Sequence, residues 1–378
     1  MNHEQLLKDL VGIKSYSGEE GEARNYIKGW LKERQVEVAA QAGNLVVHLE
    51  GRDKTRAFIF NSHMDTVSAG DQPWKYGPWT PTREDDKIVG LGASDMKSGL
   101  TASLLLAEQI SRLGVPPVDM WFTYVVNEEV DGAGTKSFMD WFKDEGYLRG
   151  YTDMAAIFTE PTGLSELEHG HRGNIFLRVK TTGDSGHASR PGNIKRHAVR
   201  EMIAFADALK VQMEKWREGF TSDIFTPPSD GEMTSIHAGV VPGTLRAASP
   251  NKFPSVCTAT FDIRTTPEFH AVAWDRLQEL GANLGATIEQ EADPAPAGYT
   301  DPSERIVQIS SNAMGEPELT VSQGSADLGF LTAQGIKAVI FGPGEKDQAH
   351  KTDEYCYPAK IPTAVDIYQE VVNAWAEK

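Results

Sequence analysis

The sequence is poor in cysteine, in basic charge and in long apolar runs. Cys257 and Cys356 are its only cysteines, so neither a disulfide framework nor a thiolate metal cluster is expected. The formal net charge of -17 argues against a nucleic-acid partner and an anionic membrane surface, because no basic excess could neutralise phosphates. No apolar run approaches the ~20 residues that span a bilayer, and MNHEQLLKDL lacks the features of a signal peptide. We therefore expect a cytoplasmic protein.

The overall composition is that of an ordinary globular protein. Of its 378 residues, 40% are hydrophobic and 24% are charged, which provides enough apolar material for a core. A chain of this length exceeds one typical domain, so we expect two domains.

Short apolar runs alternate with helical segments along much of the chain. The segment 97–113 predicts a buried helix, and strands are predicted at residues 56–62, 120–126, 154–158 and 338–341. This alternation favours an α/β fold with a mostly parallel twisted sheet flanked by helices. Each of the four strands is followed by a His, Asp or Glu at or shortly after its carboxyl end. Because ligands bind beyond the carboxyl ends of parallel strands, these side chains are candidates for one common site.

The middle of the chain has a different pattern. It predicts a strand at 174–182, a helix at 195–218, a strand at 255–264 and a helix at 267–284. This order is typical of a small α+β domain with helices on one face of an open sheet. We therefore predict an inserted domain at residues 173–294 and a catalytic, metal-binding domain made of residues 1–172 and 295–378.

Residues Ser17-Gly18-Glu19-Glu20 are typical of a capping box at the start of a helix. In such a box, the serine side chain binds a backbone amide of the first helical turn. The amphipathic segment that follows predicts a helix that continues to about residue 34.

Seven polar side chains are candidates for a metal site. Imidazole and carboxylate groups together suit zinc or a similar divalent ion, and a pair of ions requires one carboxylate to bridge them. Taken singly, each candidate is more often a surface carboxylate or a hydrogen-bonded polar residue. The candidates are His63, Asp65, Asp95, Glu128, Glu129, Glu160 and His350.

Two parts of this set carry a further signal. Glu128 and Glu129 are neighbours at a strand end, where adjacent side chains point opposite ways, so one could bind metal while the other serves as general base. Asp95 lies in a glycine-flanked turn before a helix, where small residues would let the backbone approach a metal centre. An N-terminal helix cap by Ser94 or Asp95 explains the same pattern equally well.

Seven motifs occur in the order and spacing of one known family. From about residue 11 to the C-terminus, the chain resembles the co-catalytic zinc deacylases and exopeptidases, which include acetylornithine deacetylase, succinyl-diaminopimelate desuccinylase, aminoacylase and glutamate carboxypeptidase. Glu160, followed by Pro and Thr, resembles the deacylase and carboxypeptidase branch, since aminopeptidase and dipeptidase members tend to carry aspartate there. The motifs are SHMDTV, GLGASDMKSG, VNEEVDGAGT, EPT, GDSGHASRPG, DIRTTP and FGPGEKDQAHKTDE.

The resemblance implies a pair of divalent metal ions, most readily zinc, with cobalt or manganese as alternatives. It also implies a cis peptide bond between Asp95 and Met96. The implied ligands are His63 and Glu160 for one ion, Glu129 and His350 for the other, and Asp95 as the bridge.

The resemblance implies catalytic roles for two further carboxylates. Asp65 would lie behind His63 and orient it without binding metal. Glu128 would be the general base, which takes a proton from a metal-bridging water and returns it to the leaving amine. The implied reaction is hydrolysis of an amide bond in an N-acylated amino acid or small peptide with a free carboxylate. Deacylase, carboxypeptidase and dipeptidase activities stay open, and a non-catalytic binding relative is the rival from another class.

In the family, the inserted domain is both a lid and a dimerisation domain, so the resemblance implies a homodimer. His187, in SGHAS, would reach into the partner's active site and stabilise the oxyanion. A structural histidine at a strand end is the alternative. Arg264, in DIRTTP, would hold the carboxylate of the substrate, or form a salt bridge within the lid.

The sequence departs from the family at one substrate-binding position. Gly239, in IHAGVVPG (236–243), stands where family members often carry an asparagine, which leaves the substrate's identity open. His237 is a nearby substitute that we do not favour. His169 and His171 resemble an extra metal site, but a structural role near the hinge is the preferred interpretation.

Overall fold

A computed structural model describes residues 3–226, 229–239 and 249–377. The chain divides into two compact units. The first comprises Met1–His171, Gly298–Ser322 and Ala326–Lys378, and the second comprises Arg172–Ala297 and Gln323–Ser325. The lid and dimerisation roles of the inserted segment stay predictions.

The described residues form ten α-helices and eighteen strands. Among them, no helix combines the length and the apolar character that are needed to cross a membrane. The helices are α1 (His3–Val11), α2 (Gly21–Glu33), α3 (Ser98–Leu113), α4 (Ala133–Asp144), α5 (Tyr147–Gly150), α6 (Ala198–Gly219), α7 (Pro267–Leu284), α8 (Arg305–Met314), α9 (Leu328–Thr332) and α10 (Lys360–Ala376). The strands are β1 (Ala39–Gln41), β2 (Asn44–Leu49), β3 (Asp53–His63), β4 (Thr82–Glu84), β5 (Lys87–Val89), β6 (Val118–Val125), β7 (Asp153–Phe158), β8 (Glu166–His171), β9 (Gly173–Thr182), β10 (Gly186–His187), β11 (Asp230–Ala238), β12 (Lys252–Phe253), β13 (Val256–Thr265), β14 (Thr287–Gln290), β15 (Gly298–Tyr299), β16 (Glu318–Ser322), β17 (Lys337–Ile340) and β18 (Tyr355–Cys356).

The main sheet of the first unit has the strand order β1-β2-β6-β3-β7-β17-β8-β15, with β16 paired to β8. Its four central strands, β6, β3, β7 and β17, run parallel to one another. On either side of this block, β2 pairs antiparallel with β6, and β8 pairs antiparallel with β17. The predicted α/β fold is confirmed, and its parallel part consists of the four strands that the sequence indicates.

Helices cover both faces of this sheet, because its central strands are apolar on both sides. Phe122 of β6 stacks on Phe60 of β3 with 5.2 Å between ring centroids, and Tyr368 of α10 packs against the same Phe60 at 5.3 Å. Neighbouring residues of a strand face opposite sides of the sheet. Trp121, next to Phe122 on β6, therefore lies on the other face, where it packs against Phe142 of α4 with 5.2 Å between ring centroids. Since both faces are covered, polar side chains are left to the strand ends.

The main sheet of the second unit has the order β11-β13-β9-β14 and is antiparallel throughout. Along β13, buried residues alternate with partly exposed ones, and Phe261 is among the buried ones. These buried side chains share one core with α6 and α7, in which Phe205 of α6 meets Phe261 at 5.7 Å. Helices therefore cover one face of this sheet, as the α+β pattern predicts.

The predicted capping box at Ser17 is wrong. Helix α2 begins at Gly21, and the Ser17 hydroxyl donates to Asp65 Oδ2 at 2.7 Å instead of capping the helix. Glu20 Oε1 accepts a hydrogen bond from the backbone amide of Asn127 at 3.1 Å. A hydrogen bond to an ionised carboxylate is about twice as strong as one between neutral groups, so the tertiary contact outweighs the local cap.

Candidate active site

The histidine at the end of β3 presents one ring nitrogen to two carboxylates. The His63 side chain is fully buried. Its Nδ1 lies 3.0 Å from the backbone oxygen of Asp65, which can only accept, so Nδ1 carries the hydrogen. Nε2 lies 3.3 Å from Asp95 Oδ1 and 3.7 Å from Glu160 Oε2. Nε2 is therefore the nitrogen that could bind an ion together with these carboxylates.

Asp95 lies between two imidazoles, in the irregular turn Ala93–Lys97 that precedes α3. Its peptide bond to Met96 is cis, which confirms that expectation. Asp95 Oδ1 faces His63 Nε2 at 3.3 Å, while Oδ2 faces His350 Nε2 at 3.4 Å. Each oxygen of this one carboxylate is thus directed to a different histidine.

A second cluster forms on the Oδ2 side of Asp95. His350 Nε2 lies 2.9 Å from Glu129 Oε2. The other oxygen of Glu129, Oε1, is buried and has no hydrogen-bond partner among the described residues. Within the described part of the chain, two groups of three side chains bring possible ligand atoms within 4.8 Å of one another. These groups are His63, Asp95 and Glu160, and Asp95, Glu129 and His350.

The order of the central strands explains why these side chains meet. Strand β3 lies between β6 and β7, with His63 opposite Val125 at the end of β6. Glu128 and Glu129 follow β6, and Glu160 follows β7, so all three leave the sheet at the same edge as His63. Parallel strands lie only ~4.8 Å apart, which brings side chains from consecutive ends within reach of one another.

Asp65 holds the backbone of the two neighbouring glutamates. Its Oδ1 accepts from the Glu128 amide at 3.3 Å, and its Oδ2 accepts from the Glu129 amide at 3.2 Å and from the Ser17 hydroxyl at 2.7 Å. Burial raises the pKa of Asp65, and the hydrogen bonds from His63 and Ser17 lower it. The lowering effect is the larger one, so the net pKa lies below its ordinary value. Asp65 belongs to neither ligand group, and it orients the segment that carries Glu128 and Glu129.

Glu128 lies in an acidic environment that includes a residue the sequence did not indicate. Burial, together with the carboxylates of Glu160 and Asp327, raises the pKa of Glu128 well above its usual range. Asp327 is buried and accepts a hydrogen bond from the hydroxyl of Thr135, which in turn accepts from Asn61 Nδ2 at 2.9 Å. Burial raises the pKa of Asp327 to about 7. Asp327 precedes the short helix α9, outside the pattern of strand ends, and no local signal marks it.

The whole cluster holds more negative charge than its two imidazoles can balance. Burial raises the pKa of Glu160 to about 7, although the neighbouring His63 lowers it. Burial lowers the pKa of His63, but the surrounding carboxylates outweigh it and raise the net pKa well above normal. Hydrogen bonds to Asp95 and Glu129 raise the pKa of His350 to about 10. In both histidines, the neighbouring carboxylates are the groups that raise the pKa.

The residues fit a pair of divalent cations. Each group offers one imidazole nitrogen and two carboxylates, which is a donor set suited to zinc and related ions. Glu129 Oε1, the buried oxygen without a hydrogen-bond partner among the described residues, could coordinate a bound ion instead. Burial and the neighbouring carboxylates together raise the pKa of Glu128 and Glu160, and bound cations would offset the repulsion from those carboxylates.

The sequence model of peptidase family M20/M25/M40 matches residues 59–374 of this chain. The chain belongs to this family. A curated relative, the probable succinyl-diaminopimelate desuccinylase of Staphylococcus epidermidis, is 27% identical over 410 aligned positions, which cover 99% of this chain and 98% of the relative. The resemblance to deacylases and exopeptidases is thereby confirmed, and this M20 chain is a hydrolase of amide bonds.

Solved structures support the same fold. A family M20 metallo-carboxypeptidase from Sulfolobus solfataricus superposes with a TM-score of 0.76 at 16% identity, covering 100% of this chain and 99% of that one. A tripeptidase from Staphylococcus aureus has a TM-score of 0.73 at 20% identity, covering 99% of this chain and 98% of that one. Each of these two structures therefore aligns with residues of both units of this chain.

Two predicted site residues of this M20 chain lie in the second unit. His187 is exposed on β10, with its Nδ1 2.8 Å from the Ser189 hydroxyl and its Nε2 3.3 Å from Asn251 Nδ2. The guanidinium of Arg264 donates twice to Asp262 Oδ2, at 3.1 and 2.8 Å. This pair is the salt bridge that was the alternative for Arg264. The roles in catalysis and substrate binding stay predictions for both residues.

The remaining candidates are the glycine and the three histidines that the sequence marked outside the two ligand groups. Gly239 has a φ of 62°, in the left-handed region, and residues 240–243 of the same motif lie outside the described residues. His237 is exposed on β11. His169 Nδ1 donates to the backbone oxygen of Thr300 at 2.8 Å, and His171 Nε2 accepts from the Gly329 amide at 3.0 Å. These backbone contacts support the structural interpretation of the two histidines.

Two buried ionisable residues at the Asp95 turn have contacts that the sequence did not indicate, although Lys97 lies in the motif GLGASDMKSG and Glu354 ends the motif FGPGEKDQAHKTDE. Lys97 donates from Nζ to the backbone oxygens of Leu10 and Ile13, at 3.0 and 2.8 Å, and burial lowers its pKa to about 7. Glu354 accepts hydrogen bonds from the backbone of the turn itself. Both partners are distant in sequence, so no local pattern could have revealed these contacts.

Proposed function

We propose that this M20 chain holds two divalent metal ions, most readily zinc, with cobalt or manganese as alternatives. The observation that supports this most directly is the position of Asp95, whose two oxygens face different groups of ligands. A carboxylate shared in this way is what a pair of ions requires. The proposed ligands are His63, Asp95 and Glu160 for one ion, and Asp95, Glu129 and His350 for the other.

Glu128 is the proposed general base. When bound, the ions would lower the pKa of a water molecule and polarise the amide carbonyl. The Glu128 carboxylate would accept a proton from this water and deliver it to the leaving amine. Glu128 lies beside the proposed ligand Glu160 but belongs to neither ligand group, which supports this role. Asp65 would keep Glu128 in place through its backbone amide.

The proposed substrate is an N-acylated amino acid or a small peptide with a free carboxylate. The similar proteins are named as a desuccinylase, a tripeptidase and a carboxypeptidase, all of which act on amide bonds of amino acids. Arg264 is the proposed partner of the substrate carboxylate, and for this role its guanidinium would have to exchange Asp262 for the substrate. Deacylase and exopeptidase activities differ in what is attached to the amine, and this site is compatible with both.

We also propose a cytoplasmic homodimer that assembles through the second unit. The motif around His187 supports this, since in the family this histidine serves the active site of the partner as an oxyanion donor. Its exposure on the short strand β10 leaves the imidazole accessible for such a contact. The strongly acidic composition supports a chain without nucleic-acid or membrane partners.

The experiment that tests the proposal combines metal analysis with a substrate panel. Purified protein is assayed for bound zinc, cobalt and manganese, and for hydrolysis of N-acetyl and N-succinyl amino acids and dipeptides. We expect about two ions per chain and turnover of at least one class. Protein that binds none of these metals and stays inert when they are supplied would instead be a non-catalytic relative.

The variant Glu128→Gln separates metal binding from catalysis. Glu128 lies outside both ligand groups, so the variant is expected to keep its ions. Loss of the general base should reduce kcat by about 100- to 10,000-fold. If Glu128→Gln retains most of its turnover, the assignment of the base is wrong even where the metal assignment holds.

A further inference from the structure

The Glu354 carboxylate is buried beneath the turn that carries Asp95. Only 1% of its surface is exposed. Its Oε1 accepts from the backbone amides of Ser94 and Asp95, at 2.7 and 2.9 Å, and its Oε2 accepts from the amide of Gly92 at 2.7 Å. Three amides of one turn thus converge on one carboxylate, and Asp95 is among them.

The turn forms a concave surface of amides that suits an anion. Gly92 adopts a left-handed conformation with a φ of 78°, which allows amides on both sides of it to point inward. A Cβ at this position would lie 2.7 Å from Thr66 Cγ2, so glycine is also required by space. The group that fills the concavity is the Glu354 carboxyl group of the protein itself. Glu354 therefore determines the orientation of the backbone from which Asp95 projects.

The same residue belongs to the segment that carries His350. Glu354 lies four residues after His350, and its backbone oxygen accepts from the Gly90 amide at 2.8 Å. The Ser94 hydroxyl donates to the backbone oxygen of Tyr355 at 2.6 Å, which extends the contact between the two segments. Through Glu354, the Asp95 turn and the His350 segment are held at a fixed separation. That separation includes the 3.4 Å between Asp95 Oδ2 and His350 Nε2.

We propose that Glu354 is a positioning residue that sets the affinity of the second ligand group, Asp95, Glu129 and His350, for a divalent cation. This rests on the proposed two-ion function. The first group depends less on Glu354, because His63 ends β3 and Glu160 follows β7, two strands held in the centre of the sheet. His350 is on a connection after β17 and half of its side chain is exposed, so it needs the additional support.

The test is a metal titration of the full-length protein after removal of bound metal. Zn²⁺ and Co²⁺ are titrated by calorimetry and by competition with a chromophoric chelator, in wild type and in Glu354→Gln. An amide has one acceptor oxygen, so the variant places an N–H₂ group against at least one backbone donor. We expect the ion in the second group to lose about 10- to 100-fold in affinity, and the ion in the first group to change by clearly less.

A matched control is Asp119→Asn. Asp119 is also a buried carboxylate that accepts a backbone amide, that of Gly51 at 2.7 Å, but it lies at the opposite end of β6 from the site. This variant should unfold at a lower temperature while both metal affinities stay at the wild-type values. A purely structural role of Glu354 would give the same result for Glu354→Gln.

Each outcome is decisive. Wild-type affinities at both sites in Glu354→Gln, or an equal loss at both, overturn the proposal for Glu354 while leaving the two-ion function intact. A wild-type protein that binds fewer than two ions overturns the proposed function and this inference with it. If Glu354→Gln does not fold, Glu354→Asp is used, because it keeps the charge and shortens the reach by one methylene. The same selective loss at the second ion is expected there.

Discussion

Replacing Asp65 by asparagine should impair both stability and catalysis, although Asp65 belongs to neither ligand group. Its oxygens accept hydrogen bonds from the Ser17 hydroxyl and from the amides of Glu128 and Glu129. Asparagine has one acceptor, so its N–H₂ group must face a buried donor in either orientation. An unsatisfied buried donor costs about 1–3 kcal/mol, and we expect the free energy of unfolding to fall by about this amount.

The effect on turnover follows from the same contacts. Without Asp65 Oδ1, the Glu128 amide loses its acceptor and the proposed base is no longer held in position. Changes behind a metal site reduce affinity or activity by about 10- to 100-fold, and we expect kcat/KM to fall within this range. The assays are denaturant unfolding of the metal-free protein and steady-state hydrolysis at saturating metal.

The pH dependence of the stability difference provides an independent check. The pKa of Asp65 is lowered in the folded protein from its ordinary value of 3.8. A carboxyl with a lowered pKa stabilises the fold above its ordinary pKa, and this contribution is lost as the pH falls through the folded value. The difference between wild type and Asp65→Asn should therefore be largest near neutral pH and should shrink below pH ~4.

Ser17→Ala is the matched control for Asp65→Asn. It removes one donor to Oδ2 and leaves both backbone amides bound to the carboxylate. A single hydrogen bond contributes about 0.5–1.5 kcal/mol, so the loss of stability should be smaller and kcat/KM should stay close to wild type. The reasoning is refuted if Asp65→Asn has wild-type kcat/KM, or if Ser17→Ala reduces kcat/KM as strongly as Asp65→Asn does.

Two further predictions concern the metal centre. Gly344→Ala would place a Cβ 2.2 Å from the Ser94 carbonyl oxygen, so the Asp95 turn must shift and metal affinity, measured by calorimetry, should fall. The control is Gly29→Ala in α2, where nothing lies within 4 Å of the added Cβ. It should leave the metal affinity unchanged and raise the free energy of unfolding by about 0.5–1 kcal/mol. Equal metal affinities in the two variants would contradict the prediction. Metal affinity should rise with pH, because an ion must displace a proton from His350, whose pKa is raised to about 10. In the metal-free protein, the stability contributed by this raised pKa is present below pH 6.5 and is lost as the pH rises through about 10. Thermal unfolding across that pH range measures this loss. A metal affinity that is independent of pH would contradict the assignment of His350 as a ligand.

The strand ends were predictable because their signal is local. An apolar run that stops at His63, at Asn127 or just before Glu160 marks the end of a buried strand without any knowledge of its neighbours. The interpretation of Ser17 as a helix cap failed for the opposite reason. Its pattern was local, but the strongest acceptor for its hydroxyl was Asp65, 48 residues away.

The supporting contacts of Glu354 and Asp327 were not predictable from the sequence. Glu354 accepts from amides about 260 positions earlier in the chain, and Asp327 contacts Thr135 across 192 positions. Neither residue was indicated by the end of a predicted strand, and neither belongs to a periodic pattern. Contacts of this kind depend on how loops pack together, and the preferences of single segments carry no information about that packing.

The sequence by itself determined the chemical types of the candidate ligands and their positions at the ends of apolar strands. The strand ends alone left the grouping open, and the family resemblance implied that His63 joins Glu160 and His350 joins Glu129, with Asp95 between them. Only the tertiary structure brings the ligand atoms of each group within 4.8 Å of one another. The physical reason is the order of the strands. Residues far apart in the chain can share an ion only when their strands become neighbours at the spacing of a hydrogen-bonded sheet, and that pairing is a property of the whole fold.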